Sequence, residues 1–167
     1  MIKKLVSLWH ENKHILESEL RKSIKQSRIY DLDYIDLVML TFRCIANSGA
    51  ERRECEWGGL NTKGIREIDN GDYQGTYLYT VPADMYQPTE TDYLLTFVGY
   101  GSCSACDTLQ SAKDLVLFGQ DNEKVLSAYM RLCKDHITNT TKPYSGGWNL
   151  EEFDEQAAWE KTVEETE

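Results

Sequence analysis

The sequence has little that suits a membrane protein or a nucleic-acid-binding surface. No run approaches the roughly 18 apolar residues that a membrane span requires, and no segment resembles a secretory signal. Basic residues are outnumbered, because 18 lysines and arginines stand against 28 acidic residues and give a net charge of −10. A surface of this charge repels phosphate backbones. We therefore expect a cytosolic protein that binds neither membranes nor nucleic acid.

Cysteine, proline and histidine are also sparse, with five, three and three residues. Five cysteines in a cytosolic chain indicate free thiols and not a disulfide framework. A chain of 167 residues with 41% hydrophobic content can bury a sizeable core without disulfides or metals. No internal repeat or low-complexity segment divides it. We expect one domain over residues 1–167.

The negative charge is concentrated at the C-terminus. Residues 151–167 hold eight acidic residues and one lysine. The acidic tail, residues 150–167, has a weak apolar stripe of Phe153, Ala157 and Trp159, which permits a last helix. A solvated acidic face is the usual role of such a segment, and contact with a basic partner is the alternative.

Helical periodicity appears at both ends of the chain. Leu5, Trp9, Leu16, Leu20 and Ile24 recur at multiples of a helical turn, and the polar stretch 12–14 suggests a break. Further helices are predicted at residues 33–47, 108–118 and 123–136.

The middle of the chain has β character. Strands are predicted at residues 65–69, 76–81 and 93–100, and a turn rich in Asn, Gly and Asp joins the first two. Three strands in chain order with short connections indicate an antiparallel meander. We therefore predict an α+β domain in which N- and C-terminal helices cover a small sheet of about three strands.

The most informative segment is the cysteine loop, residues 101–107, which follows the third strand. It reads Gly-Ser-Cys-Ser-Ala-Cys-Asp and holds Cys103 and Cys106. Ser104 followed by Asp107 has the outline of a capping box. If Ser104 capped the next helix, Cys106 would lie in its first turn, where the backbone N–H groups favour a thiolate.

Three uses of this loop compete with a plain structural turn. A Cys-x-x-Cys pair between a strand and a helix suits thiol–disulfide chemistry, although the β-α-β context of thioredoxin-like proteins is missing. Glycine and serine at a helix start suit a phosphate or carboxylate ligand, although no P-loop lysine follows. The third use is zinc, with Cys103 and Cys106 joined by Cys133 and His136, which lie one helical turn apart.

Two further patterns carry less weight. His10, Glu11 and His14 form His-Glu-x-x-His, but no third ligand is suggested nearby, so a chance match on a surface helix is favoured. The strands are rich in tyrosine, which would suit a stacking platform but is also a good strand residue. The tyrosines concerned are Tyr73, Tyr77, Tyr79, Tyr93 and Tyr100.

Two motifs resemble those of a family of small bacteriophage-encoded proteins. They are Gly-Asp-Tyr-Gln-Gly-Thr at residues 71–76 and Tyr-Gly-Ser-Cys-Ser-Ala-Cys-Asp at residues 100–107, where the family commonly has Gly in place of Ala105. The resemblance covers residues 65–110 and implies an accessory protein that acts in the cytosol of a bacterial host. It brings no known activity.

Together these observations favour a non-enzymatic binder of a host protein or small ligand, with no required cofactor. If the two motifs meet at one end of the sheet, their polar groups form the site. The alternative is a thiol redox or zinc-binding protein that uses Cys103 and Cys106. The candidate ligand-binding residues are Asp72, Gln74, Ser102, Cys103, Ser104, Cys106 and Asp107.

Overall fold

The computed structural model describes residues 2–46, 59–69, 71–72 and 74–142, and it has the predicted α+β architecture. Within these residues, four helices and four strands form. The helices are α1 (Ile2–Lys25), α2 (Tyr34–Ala46), α3 (Thr108–Leu117) and α4 (Asn122–Thr138). The strands are β1 (Arg66–Asp69), β2 (Gly75–Pro82), β3 (Tyr93–Tyr100) and β4 (Thr140–Thr141).

The strands form one antiparallel sheet in chain order, β1-β2-β3-β4. The predicted meander is thereby confirmed, and the expected strand number was one too low. The extra strand, β4, has only two residues, too few to give an alternating pattern. It pairs with β3 through Thr140, opposite Thr96. Both threonine hydroxyls donate 2.7 Å hydrogen bonds to the backbone carbonyl of His136, which fixes β4 to the end of α4.

One face of the sheet packs against the helices. Strand residues alternate between the two faces, and those facing the helices include Tyr79, Val81, Leu94 and Val98, each at most 7% exposed. The helical side of the core holds Phe42 and other residues at the predicted helical spacing, so the amphipathic patterns of α1, α2 and α4 are confirmed. This helical side also includes Leu5, Leu16, Leu20, Leu37, Val38, Ile45, Val125, Tyr129 and Leu132.

Helix α1 runs without interruption, so the predicted break at residues 12–14 was wrong. The polar residue at the expected break has a tertiary partner, because the Asn12 side-chain amide donates a 3.1 Å hydrogen bond to the carbonyl of Ile45. That carbonyl belongs to the last turn of α2, where the helix leaves acceptors unpaired. Asn12 therefore links two helices.

The predicted last helix over the acidic tail falls outside the described residues, as does Tyr73 of the tyrosine pattern. Among the helices that the structure describes, none has both the length and the apolar character needed to cross a bilayer.

Candidate ligand-binding groove

The two sequence motifs meet at one end of the sheet. Gly75 pairs with Tyr100, so the β1–β2 turn and the cysteine loop both leave from the same pair of residues. The Tyr100 hydroxyl donates a 2.7 Å hydrogen bond to Asp69 Oδ1, which also accepts the N–H of Gly71 at 3.1 Å. Position 71 requires glycine, because a Cβ there would lie 2.2 Å from the carbonyl oxygen of Gln74.

The cysteine loop brings two exposed thiols together. Cys103 and Cys106 are free cysteines whose sulfur atoms lie 2.9 Å apart. A tight turn holds this geometry, because the N–H groups of Cys106 and Asp107 both donate to the Cys103 carbonyl, at 2.9 and 2.8 Å. The hydrogen bond from the Cys103 thiol, followed by that from the Cys103 backbone N–H, lowers the pKa of the Cys106 thiol. Cys106 therefore holds more thiolate near neutral pH than an ordinary cysteine does.

Asp107, and not Ser104, caps the helix that follows the loop. Asp107 Oδ1 accepts the N–H of Gln110 at 2.8 Å, and α3 begins at Thr108. The predicted cap was therefore wrong, and Cys106 lies just before the helix instead of in its first turn. Both residues have side chains that suit an N-cap. Asp107 takes the position because its second oxygen, Oδ2, also accepts the N–H of Gly101 at 3.2 Å and so closes the loop.

Tyr34 joins α2 to this cap. Its hydroxyl donates to Asp107 Oδ1 at 3.1 Å, lies 3.2 Å from Thr108 Oγ1 and accepts the N–H of Leu109 at 3.1 Å. Burial raises the pKa of Tyr34 to about 12, and the hydrogen bonds from Thr108 and from the Leu109 N–H offset part of this effect. The phenol is therefore neutral at physiological pH and acts as a fixed link between α2 and α3.

A groove of about 290 Å³ opens beside this link. We call it the tyrosine groove, because Tyr34, Tyr77 and Tyr100 are among the residues that line it. Tyr77 and Tyr100 stack with centroids 4.3 Å apart and planes 21° apart, and Tyr34 lies 6.0 Å from Tyr77 at an angle of 53°. The remaining lining residues are Asp33, Gly101, Asp107, Leu109, Gln110 and Lys113.

The charges around the groove are mostly negative. Lys113 lies 3.0 Å from Asp33 Oδ1, and its ammonium group also lies 5.7 Å from the centre of the Tyr30 ring. Desolvation first, and then the carboxylates of Asp69 and other nearby acids, raise the pKa of Tyr77. Among the described lining residues, the two carboxylates of Asp33 and Asp107 stand against the ammonium group of Lys113.

The predicted ligand residues lie mainly at the margin of this groove. Only Asp107 lines it. Ser104 is half-buried, and the other five are exposed, two on the β1–β2 turn and three on the cysteine loop. They are Asp72, Gln74, Ser102, Cys103 and Cys106.

Sequence reasoning missed most of the groove. The tyrosine pattern contained a signal, since Tyr77, Tyr79 and Tyr100 do share one face of the sheet. Tyr79 is fully buried, however, and its hydroxyl donates to Glu67 Oε2 at 2.8 Å, so it forms core and not wall. Asp33, Tyr34 and Lys113 come from helices or helix ends, and no sequence pattern tied them to the sheet.

The four residues considered for zinc occupy different environments. Cys103 and Cys106 are exposed, whereas Cys133 and His136 are 0% and 1% exposed in the core. Among the described residues, no three His, Cys, Asp or Glu side chains lie together as a metal-binding group. The His-Glu-x-x-His residues of α1 therefore do not form such a group either. Burial lowers the pKa of His136 to about 3, and neither ring nitrogen has a hydrogen-bond partner among the described residues.

Comparisons with protein-family models, with curated proteins and with solved structures found no match to this chain.

Proposed function

We propose that this protein is a non-enzymatic binding protein whose small ligand occupies the tyrosine groove, and that it serves as a phage-type accessory protein in the cytosol of a bacterial host. The main observation in support is the groove itself, a cavity of about 290 Å³ with three tyrosines among its lining residues. Concave sites lined by aromatic rings and a few polar groups are typical of small-molecule binding.

The rigidity of the wall supports this function. The hydroxyls of Tyr34 and Tyr100 are held by Asp107 and Asp69. Their rings are thus fixed before a ligand arrives, and binding costs little side-chain entropy. The bacterial setting is supported by the resemblance of the Gly71 and Cys103 motifs to phage-encoded proteins.

A matched pair of tyrosine variants tests the groove. A library of single-ring and two-ring fragments is titrated into ¹⁵N-labelled protein, and amide shifts are mapped. We expect hits that move the amides of Gly101, Leu109 and Gln110 and that are lost in Tyr77→Ser. They should persist in Tyr86→Ser, because Tyr86 is 90% exposed and does not line the groove. Hits that survive Tyr77→Ser, or a library without hits on the groove, would refute this function.

A second function, reversible thiol–disulfide exchange, is favoured by the 2.9 Å approach of the two exposed sulfurs. In this reaction the Cys106 thiolate attacks a low-molecular-weight disulfide and releases one thiol. Cys103 then gives up its proton, attacks the mixed disulfide and releases the second thiol. The protein gains one disulfide bond and loses two hydrogens, and the external disulfide is reduced to two thiols.

Glutathione redox buffers test this second function. We expect the protein to lose two hydrogens by intact mass over a defined range of potential, and the loss should disappear in Cys103→Ser. It should remain in Cys133→Ser, because Cys133 is fully buried. If the wild-type dithiol stays reduced in the most oxidising buffer, exchange at this site is refuted.

A further inference from the structure

We propose that the ligand of the tyrosine groove is an aromatic cation, a flat ring that carries an amidinium, guanidinium or ammonium group. This inference rests on the proposed function and specifies its ligand class. Three features of the groove support it, namely an occupied helix start, an excess of carboxylates, and tyrosine rings in its lining, whose faces attract positive charge.

The first feature removes the obvious anion site. Backbone N–H groups at the start of a helix attract phosphates and carboxylates. In this protein the start of α3 already holds the carboxylate of Asp107, whose two oxygens accept the N–H groups of Gln110 and Gly101 at 2.8 and 3.2 Å. An anionic ligand would meet that carboxylate instead of free N–H groups.

The second feature is the balance of charge. Among the described residues, Asp33 and Asp107 line the groove with carboxylates, and the Asp69 carboxylate lies 2.7 Å from the hydroxyl of Tyr100, another lining residue. Lys113 is the cation that lines the groove, and Asp33 already neutralises it at 3.0 Å. The field in the groove is therefore negative, and it favours a cation over a neutral molecule of the same shape.

The third feature is the aromatic wall. Tyrosine faces attract cations, with a contribution of about 0.5–2 kcal/mol. The half-buried Tyr77–Tyr100 stack lines the groove and offers a ligand a flat aromatic surface for a ring and a π face for its charge. A volume of about 290 Å³ is at the lower end of small-molecule sites and suits a ligand of one or two rings.

Three probes of nearly identical shape test this class, namely benzamidinium, benzamide and benzoate. Each is titrated into ¹⁵N-labelled full-length protein. We expect benzamidinium to shift the groove amides and to bind about tenfold tighter than benzamide, whereas benzoate binds more weakly than both. Benzamide or benzoate binding as tightly as benzamidinium would overturn the inference.

A charge variant provides the second readout. Asp33→Asn removes one carboxylate and leaves Lys113 unpaired, so benzamidinium should bind several-fold more weakly while benzamide is unaffected. Asp121→Asn, an exposed carboxylate outside the groove lining, is the control and should change neither. Equal benzamidinium affinity in wild type and Asp33→Asn would also overturn the inference.

Failure of the ligand class and failure of the proposed function give different results. If library fragments bind the groove but benzamidinium does not, only the aromatic-cation inference is overturned. If neither the three probes nor the library binds, the groove is not a ligand site and both fall.

Discussion

Replacing Asp107 by alanine is the most revealing perturbation of this protein, because one carboxylate holds the loop, the helix and the groove wall. Its oxygens accept hydrogen bonds from Gln110 N–H, Gly101 N–H and the Tyr34 hydroxyl, at 2.8, 3.2 and 3.1 Å. The variant would release all three donors at once.

The expected loss of stability follows from these contacts. An N-cap aspartate contributes about 1 kcal/mol, and each of the other two hydrogen bonds contributes about 0.5–1.5 kcal/mol. Because Asp107 is half-buried, water can replace part of what is lost. We therefore expect Asp107→Ala to reduce the free energy of unfolding by about 2 kcal/mol. Asp107→Asn should cost less, since its amide oxygen can still accept the Gln110 N–H.

Urea unfolding followed by circular dichroism measures this difference. The matched control is Asp121→Ala, which removes the N-cap residue of α4, a side chain that makes no capping hydrogen bond. We expect the control to change the free energy of unfolding by less than about 0.5 kcal/mol. Equal effects of the two substitutions would refute the role assigned to Asp107.

Three further predictions concern the loop and the core. Iodoacetamide should alkylate Cys106 at a lower pH than an ordinary thiol. Burial raises the pKa of Cys133 to about 12, so this thiol should react only when the protein unfolds. Mass spectrometry of labelled peptides measures both reactions. Gly101→Ala should displace the loop, because the new Cβ would lie 2.5 Å from Cys106 Sγ, and it should speed proteolysis of the loop relative to wild type. The pKa of His136 is lowered from its ordinary value near 6.5 to about 3, so the unfolded chain takes up a proton first as the pH falls. The buried neutral imidazole of His136 therefore costs no stability above pH 6.5, and stability is lost from there toward pH 3, by at most about 1.4 kcal/mol per pH unit. His136→Leu should flatten that part of the stability curve when urea unfolding is measured across this pH range.

The fold could be predicted from the sequence wherever a pattern was local and long. The apolar spacing of α1 from Leu5 to Leu20 and the turn between β1 and β2 gave the right elements and the right class. Patterns failed where a tertiary contact decided the outcome. Asn12 looked like a helix break because its partner, the Ile45 carbonyl, lies 33 residues away.

The candidate site was harder to predict for the same reason. The cysteine loop was found because its unusual residues are adjacent in the chain. The groove beside it depends on Tyr34, which reaches Asp107 from 73 residues away, and on Lys113, which pairs with Asp33 from 80 residues away. Nothing in the local sequence indicates such pairs, since residues this far apart are brought together only by the packing of helices on the sheet.

A crystallographic fragment soak tests most directly the central claim that the tyrosine groove is a ligand site. We predict density for single-ring fragments against the faces of Tyr77 and Tyr100, with any positively charged group directed toward Asp33 or Asp107. Fragments that leave this groove empty while they occupy other surfaces of the protein would contradict the account.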